Sequence, residues 1–353
     1  MKQCRWPPSI NEAVDRQDRS QLLRRWITHL FKRYGLQAWS LQLIAGEASH
    51  RRYYRIRSAH PGKAFIIMDA APWLEDNAAF VTVAGLLASA MIRVPAIYEW
   101  DKSNGFLLLE DMGDETLLQL NLRTHREAVR HYYNQTICTL VDMQFNAPAN
   151  QLANFSPELM RDELSLFTDW YLDQYLKIKL SGNEQRDIAC CFNLITEKIQ
   201  LIEHVFVHRD FRPGNLVISR DGKAIAVLDF QDAVKGPITY DLVSLLWDSF
   251  HCWDEPFTQQ MVRLYWTTAI GKGLPVPSTL AAFNLSLYWT RLQRHIRVIG
   301  IFARLGIRDG KLRYLQEIER FNNYLLSSTV RNDSMQPLTR LLQQITLSNS
   351  ALH

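Results

Sequence analysis

The sequence predicts an α+β protein with two lobes, a small β-rich one followed by a larger helical one. Short apolar segments typical of strands, separated by turns, occur between residues 39 and 110. Beyond residue 113 the apolar residues recur mostly at helical spacing. A thin connection near Leu109–Gly113 separates the two patterns. We therefore expect a first lobe over residues 1–112 and a second over residues 113–353.

Alternating helices and strands make up the first lobe. Leu22, Leu23, Trp26, Ile27 and Leu30 fall on one helical face, and a second helix is expected further along. Ser103-Asn104-Gly105 has the composition of a hairpin turn between two of the strands. The predicted helices cover residues 17–33 and 77–91, and the predicted strands cover residues 39–44, 53–57, 65–68, 97–100 and 106–110.

The second lobe is predicted to be helical apart from a few short strands. A hairpin turn at Asp221-Gly222 joins two of these strands. From residue 240 onward the pattern is helical, and the polar tail from Asp333 is expected to fray. The predicted helices cover residues 113–150, 162–179 and 188–204, and the predicted strands cover residues 206–207, 216–219 and 224–228.

Composition excludes several classes of protein. With 353 residues, 47% hydrophobic and 22% charged, the chain is neither disordered, collagen-like nor a coiled-coil rod. It has no apolar run of about 18 residues and no signal-peptide core near its start, so we expect no membrane partner. Its five cysteines are odd in number and form no C-x-x-C, which favours reduced thiols and a cytoplasmic location.

Charge is distributed unevenly along the chain. The net charge of +4 is too small to indicate a nucleic-acid partner. Residues 1–57 carry twelve Lys and Arg against four Asp and Glu, a local +8, so the remainder sums to −4. This basic segment is either a solvated helix face or an attractant for a polyphosphate.

The most specific pattern runs from His208 to Asn215 and continues at Asp229-Phe230. Phosphoryl transfer needs a carboxylate beside the attacking hydroxyl and oxygen ligands for Mg²⁺. Asp210 can supply the first, and Asn215 and Asp229 can supply the second. The intervening hairpin places Asn215 and Asp229 at one end of its two strands. The alternative is that these residues cap ordinary turns.

This pattern resembles the catalytic and magnesium loops of kinases. Its Pro213–Leu216 string, with Tyr240–Leu242 further on, is similar to the aminoglycoside phosphotransferase-like small-molecule kinases. Gln231 stands where protein kinases have the glycine of D-F-G, and no A-P-E follows, which disfavours a protein kinase. The resemblance implies a bilobal, protein-kinase-like fold.

Further strings resemble the bacterial anomeric kinases that phosphorylate N-acetylmuramate and N-acetylglucosamine at C1 in peptidoglycan recycling. The resemblance extends from about residue 20 to about residue 325. It implies an ATP- and Mg²⁺-dependent sugar kinase with a small amino-sugar substrate; a monomer is favoured, although the oligomeric state stays open. The strings are Gly46–Tyr53, Met68–Pro72, Leu109–Gly113, Asp229–Ala233, Gly236-Pro237, Gln293-Arg294 and Gly300–Leu305.

The resemblance also implies roles for individual residues. Asp210 would be the catalytic base, and Arg212 would reach the γ-phosphate unless it forms a surface salt bridge. Asn215 and Asp229 would hold Mg²⁺. Arg294 would meet the lactyl carboxylate of N-acetylmuramate, unless Arg291, Arg294 and Arg297 form a solvated basic face, and Asp232 would touch the sugar. The nucleotide would contact Gly46, Ala48, Ser49, Arg52, Leu109, Glu110 and Met112.

One departure from the kinase pattern concerns the third strand. Kinases place there a lysine that contacts the phosphates, and the alignment puts Met68 at that position. An arginine from residues 51–57 substitutes, with Arg52 preferred, or the family manages without this cation. Met68 is the motive for a second hypothesis, a nucleotide-binding module without activity. Other acceptors (an aminoglycoside, choline, homoserine or another small alcohol) and a distant RNA-binding role also stay open.

Overall fold

The computed structural model describes residues 12–36, 40–45, 50–59, 63–123, 126–219, 222, 224–248 and 253–350. The chain divides into two compact units, one of Met1–Gly85 with Val94–Gly113 and one of Leu86–Arg93 with Asp114–His353. The lobe limits at residues 112 and 113 stay a prediction. Within the described residues, no helix is long and apolar enough to cross a membrane.

The first unit contains an antiparallel five-stranded sheet in the order β1-β2-β3-β5-β4. Its first helix covers the predicted residues and begins five residues earlier than expected. The strands are β1 (Gln42–Ala45), β2 (Arg52–Arg57), β3 (Ala64–Asp69), β4 (Ile97–Asp101) and β5 (Phe106–Glu110). The helices are α1 (Glu12–Tyr34) and α2 (Asn77–Ser89), whose last turn belongs to the second unit.

Helix α1 packs on one face of this sheet. Arg19 of α1 donates from Nε to Asp69 Oδ1 of β3 at 2.6 Å, and both residues are buried. Because side chains alternate between the two faces of a strand, this contact identifies which residues of β2 and β3 face α1. One buried apolar cluster joins the helix and the sheet. It includes Leu23, Ile27 and Leu30 of α1 with Ile56, Ile67, Phe106 and Leu108 of the strands.

The second unit is mainly helical and contains two small antiparallel sheets, β6-β9 and β7-β8. Its strands are β6 (His204–Val207), β7 (Leu216–Ile218), β8 (Ile225–Val227) and β9 (Val234–Pro237). Its helices are α3 (Leu117–Arg123), α4 (Arg126–Asn146), α5 (Pro157–Leu166), α6 (Gly182–Gln200), α7 (Tyr240–Leu246), α8 (Glu255–Lys272), α9 (Leu280–Arg308), α10 (Ile318–Thr329) and α11 (Gln336–Ser350).

The predicted helix over residues 162–179 is wrong at both ends. Helix α5 begins earlier, capped by the Ser156 hydroxyl, and a π-helical segment, Phe167–Tyr175, follows it. Helix α9 lies against the junction so closely that a Cβ on Gly300 would be 2.4 Å from the Leu166 carbonyl carbon. Only glycine permits this approach. The π-helical segment, whose turns are wider than those of an α-helix, begins at this contact.

One expectation, at the tail, fails for a packing reason, and one strand forms that the sequence did not predict. The tail from Asp333 does not fray, because α11 buries Leu338, Leu342 and Ile345 along one face. Strand β9 was not predicted, since it has only four residues and two of them are Gly and Pro. It forms because it pairs in register with β6, the strand that leads into His208.

Candidate active site

The loop after β6 is held by one buried carboxylate. Asp241, in the first turn of α7, accepts the backbone N–H of His208 at 2.7 Å and that of Arg209 at 3.0 Å. These bonds fix a backbone in which Arg209 has φ +72°, a left-handed conformation that costs energy for a residue with a Cβ. Asp241 therefore determines the direction in which the loop leaves the strand.

His208 has a structural role in the loop. Its side chain is fully buried, its Nε2 is 3.0 Å from the Leu228 carbonyl oxygen, and its Nδ1 accepts the Asp210 backbone N–H at 3.2 Å. The network assigns the proton to Nε2. Burial lowers the pKa of His208, with Asp210 and Asp229 opposing that shift. A neutral, fully bonded imidazole is shielded from proton transfer with a substrate.

Asp210 is the exposed carboxylate of the loop, with 38% of its side chain accessible. Its Oδ2 accepts from Arg212 Nε at 3.0 Å and from Asn215 Nδ2 at 2.6 Å. The Asn215 amide also donates to the Asp210 backbone oxygen at 2.9 Å. Both neighbours thus orient the carboxylate through Oδ2. Its Oδ1 has no hydrogen-bond partner among the described residues and can accept from a ligand.

The two carboxylates of this region differ in their acidity. Partial burial opposes ionisation of Asp210, but Arg212 and Arg294 outweigh it and hold the pKa of Asp210 below its ordinary value. Asp241 is completely buried, and this burial raises its pKa to about 7 against the opposing hydrogen bonds from the loop. Asp210 is consequently an anion at neutral pH, as a proton acceptor must be.

Asn215 and Asp229 lie at the open end of the β7-β8 hairpin. The Leu228 N–H donates to the Asn215 carbonyl oxygen at 2.9 Å, and Asn215 Nδ2 lies 3.5 Å from Asp229 Oδ2. In this orientation the Asn215 amide nitrogen, and not its oxygen, faces Asp210 and Asp229, so Asn215 can share a metal ion with Asp229 only after its amide turns over by a side-chain rotation. One amide oxygen and one carboxylate suit Mg²⁺, which takes few protein ligands when phosphates and water complete its shell.

A second buried carboxylate, Glu163 of α5, holds the loop from its side chains. It pairs with the Arg209 guanidinium, lies 2.9 Å from Arg297 Nε of α9, and accepts from Gln293 Nε2 at 2.8 Å. Arg209 is thus anchored at both its backbone and its side chain. The sequence did not indicate Glu163, because its partners lie 46 to 134 positions away along the chain.

The two predicted substrate residues have opposite environments. Arg294 of α9 is only 4% exposed, and its one hydrogen bond within the described residues joins Nε to the neutral Ser244 hydroxyl at 2.7 Å. Its charge is felt by Asp210, but no described carboxylate lies within ion-pair distance of it. Asp232 is exposed and has no described contact. Arg294 is therefore a buried cation with no contacting counter-ion in the part of the chain that the structure describes.

The predicted nucleotide residues lie in the first unit or outside the described residues. Leu109 and Glu110 end β5, where the Glu110 N–H donates to the Ala96 carbonyl oxygen at 2.9 Å, and Met112 follows, buried. Arg52 begins β2. Gly46, Ala48 and Ser49 lie outside the described residues.

Comparisons with known proteins identify a family and similar chains. The model of the phosphotransferase enzyme family matches residues 40–274. The chain is similar to an N-acetylmuramate/N-acetylglucosamine kinase of Pseudomonas aeruginosa, with 38% identity over 85% of this chain and 87% of the relative. It is similar to a kinase of the same name from Neisseria meningitidis, with 35% identity over 92% of this chain and 95% of the relative.

Solved structures with low sequence identity share the fold. The choline kinase LicA from Streptococcus pneumoniae superposes with a TM-score of 0.63 at 13% identity, covering 87% of this chain and 99% of that one. The ADP-bound aminoglycoside phosphotransferase APH(2'')-Ib gives 0.57 at 12% identity, covering 83% and 95%. The α+β, kinase-like fold predicted from the sequence is thereby confirmed.

Proposed function

The chain belongs to the phosphotransferase enzyme family, and from that premise we propose that it transfers the γ-phosphoryl group of ATP to the anomeric hydroxyl of N-acetylmuramate, N-acetylglucosamine or both. Relatives identical at over a third of the aligned residues, across most of both chains, carry these sugars in their names. Both sugars are units of peptidoglycan, so we place the activity in the recycling of cell-wall sugars.

Asp210 has the properties of the residue that receives the acceptor hydroxyl. It is accessible, ionised and held by two neighbours, so one oxygen can accept a hydrogen bond from the sugar O1–H. Phosphoryl transfer passes through a loose transition state, in which orientation of the nucleophile matters more than strong basicity. A low pKa of Asp210 is compatible with that role, because in a loose transition state the sugar hydroxyl gives up its proton late. The convergence of Asp210, Asn215 and Asp229 is the observation that carries the proposal.

Asn215 and Asp229 would hold Mg²⁺, which when bound neutralises charge on the nucleotide phosphates. Arg212 lies beside Asp210 with 29% of its side chain accessible, and it is permanently charged. It orients the Asp210 carboxylate and can donate its remaining N–H groups to the transferred phosphoryl group. Asp232, exposed near the loop, stays a proposed sugar contact.

Arg294 supports an anionic sugar. A buried guanidinium without a contacting carboxylate gains most from a ligand that supplies one. N-acetylmuramate carries a lactyl carboxylate and N-acetylglucosamine does not. We therefore assign Arg294 to that carboxylate, since it lies close enough to Asp210 to lower its pKa.

The proposal is tested by ADP release with Mg-ATP and a panel of acceptors: N-acetylmuramate, N-acetylglucosamine, kanamycin and choline. We expect turnover on one or both amino sugars, abolished by EDTA and restored by Mg²⁺, and none on kanamycin or choline. Turnover only on kanamycin or choline would contradict the proposed acceptor. ATP binding without turnover on any acceptor would favour the nucleotide-binding module that Met68 suggests.

A further inference from the structure

The alignment with the kinase pattern puts Met68 at the position where kinases place the phosphate-binding lysine of the third strand. It lies in β3 opposite Tyr53 of β2 and Leu107 of β5, and it is completely buried. A thioether offers a phosphate neither charge nor a donor. If the chain uses ATP and keeps this phosphate contact, another cation must supply it.

The candidate predicted from the sequence, Arg52, lies on the wrong face for that role. In the β2-β3 ladder Arg52 is opposite Asp69, and residues paired in this way share a face. Asp69 faces α1, where it accepts from Arg19. Met68, next to Asp69 in the strand, faces the other way. Arg52 and Met68 therefore lie on opposite faces of the sheet.

Arg51 lies on the face of Met68. It is the residue before β2, and the alternation of an extended chain places it on the side of Tyr53, the partner of Met68. Arg51 and Tyr53 are two positions apart, a distance of about 7 Å along a strand. The long guanidinium side chain can span this distance, so its charge can reach the place of a lysine at position 68.

Arg51 is also paired with an acidic residue in the same way as the kinase lysine. Its Nη2 lies 3.0 Å from Glu75 Oε2, and the two side chains are only 7% and 13% exposed. Glu75 accepts the His50 backbone N–H at 3.0 Å and comes two residues before α2, the helix that follows β3. In kinases the strand-3 lysine pairs with a glutamate of the helix that follows that strand.

We propose that Arg51, held in place by Glu75, binds the phosphates of the nucleotide in place of the missing strand-3 lysine. This inference rests on the proposed use of ATP. A guanidinium has five N–H donors in a planar fork, more than a single bond to Glu75 uses, and this geometry suits a phosphate. The chain thereby exchanges one cation on the third strand for another at the start of the second.

The experiment compares the affinities of ATP and adenosine by isothermal titration calorimetry, with no sugar present. The variants are Arg51→Gln, the charge-matched double variant Arg51→Gln with Glu75→Gln, and Arg52→Gln as the control on the other face. The double variant leaves no buried charge unpaired, so it keeps the test valid if Arg51→Gln alone folds poorly. Arg51→Lys tests whether a point charge suffices.

Both Arg51→Gln variants are expected to weaken ATP binding by about 10- to 100-fold, the value of a hydrogen bond to a charged group. Adenosine binding should stay within about twofold of the wild type, because adenosine has no phosphate to lose a contact with. Arg52→Gln should leave both affinities unchanged, and Arg51→Lys should restore part of the ATP affinity.

Two results would overturn the inference. One is unchanged ATP affinity in the folded double variant, and the other is an equal loss for ATP and adenosine, which marks Arg51–Glu75 as a purely structural pair. An ATP-specific loss in Arg52→Gln would move the role to Arg52. A wild-type chain that binds no ATP would instead overturn the proposed function, so the two failures are distinguishable.

Discussion

The loop after β6, from His208 to Asn215, and the start of strand β2 hold their charged groups in place in different ways. Asp241 holds the loop backbone, Glu163 holds a loop side chain, and further neighbours orient Asp210. At the start of β2, one ion pair with Glu75 holds the Arg51 side chain in place. The loop keeps the kinase residue types at the kinase spacing, whereas the sheet has exchanged its cation. Where many partners converge, no single residue can be replaced without disturbing the rest.

The largest expected effect comes from the centre of the loop. Asp210→Asn removes the proposed acceptor for the sugar hydroxyl but keeps the shape of the side chain. We expect kcat to fall by about 10²- to 10⁴-fold, the usual contribution of a positioned acid or base, with ATP affinity nearly unchanged. Single-turnover kinetics and calorimetry measure the two quantities. A kcat within a few-fold of the wild type would remove Asp210 from the mechanism.

Removing one anchor of the loop tests whether it is held as described. Glu163→Gln leaves Arg209 and Arg297 without their shared counter-ion, so we expect the free energy of unfolding to fall by about 3–5 kcal/mol. The kcat should fall while KM for ATP stays nearly constant, because the loop carries Asp210. Urea unfolding and steady-state kinetics measure these changes.

Glu158→Gln is the matched control for that variant, on the same helix α5. Glu158 is 72% exposed, pairs with Arg161 and accepts from the Ser156 hydroxyl. We expect it to leave both stability and kcat unchanged. Equal losses in the two variants would show that α5 as a whole, and not the buried contact, matters for the loop.

Arg294→Gln distinguishes two anions that the buried Arg294 guanidinium could bind, the lactyl carboxylate of the sugar and the transferred phosphoryl group. If Arg294 binds the lactyl carboxylate, KM for N-acetylmuramate should rise about 10- to 100-fold while KM for N-acetylglucosamine stays constant. Arg291→Gln, three residues earlier on α9 and bonded to Ser328, is the control. Equal losses for both sugars would assign Arg294 to the phosphoryl group instead.

A pH dependence of stability is expected to originate in Asp241. Its pKa of about 7 in the folded chain exceeds its ordinary value of 3.8, so the folded state favours the neutral acid. This contribution to stability is complete below the ordinary value and is lost as pH rises through about 7. Relative to Asp241→Asn, which does not titrate, the wild-type melting temperature should decline between about pH 4 and pH 7. A constant difference would contradict the raised pKa.

How far the sequence predicted the site depends on where the information lies along the chain. Asp210, Asn215 and Asp229 come from one loop and one hairpin, so local spacing was enough to predict that they meet. Glu163 and Arg297 reach the loop from helices far away in the sequence, and no local pattern marks such pairs.

The same limit applies to the fold. Most helices and strands follow from periodicity, because each buries one face of its own. The π-helical segment follows instead from a glycine over 130 residues away on α9, and β9 follows from its partner β6. In β2, the alternation between faces was needed to separate Arg51 from Arg52, and it became usable only once the register with β3 was known.

The proposed role of Asp210 is to orient the anomeric hydroxyl of an amino sugar toward the γ-phosphate of ATP. The most direct measurement is the ³¹P NMR spectrum of the product formed from N-acetylmuramate and N-acetylglucosamine, each intact and after borohydride reduction. Reduction destroys the anomeric hydroxyl and leaves most of the others. We predict a sugar 1-phosphate from intact sugar and no product above the Asp210→Asn background from reduced sugar. Phosphorylation that survives reduction would contradict the account.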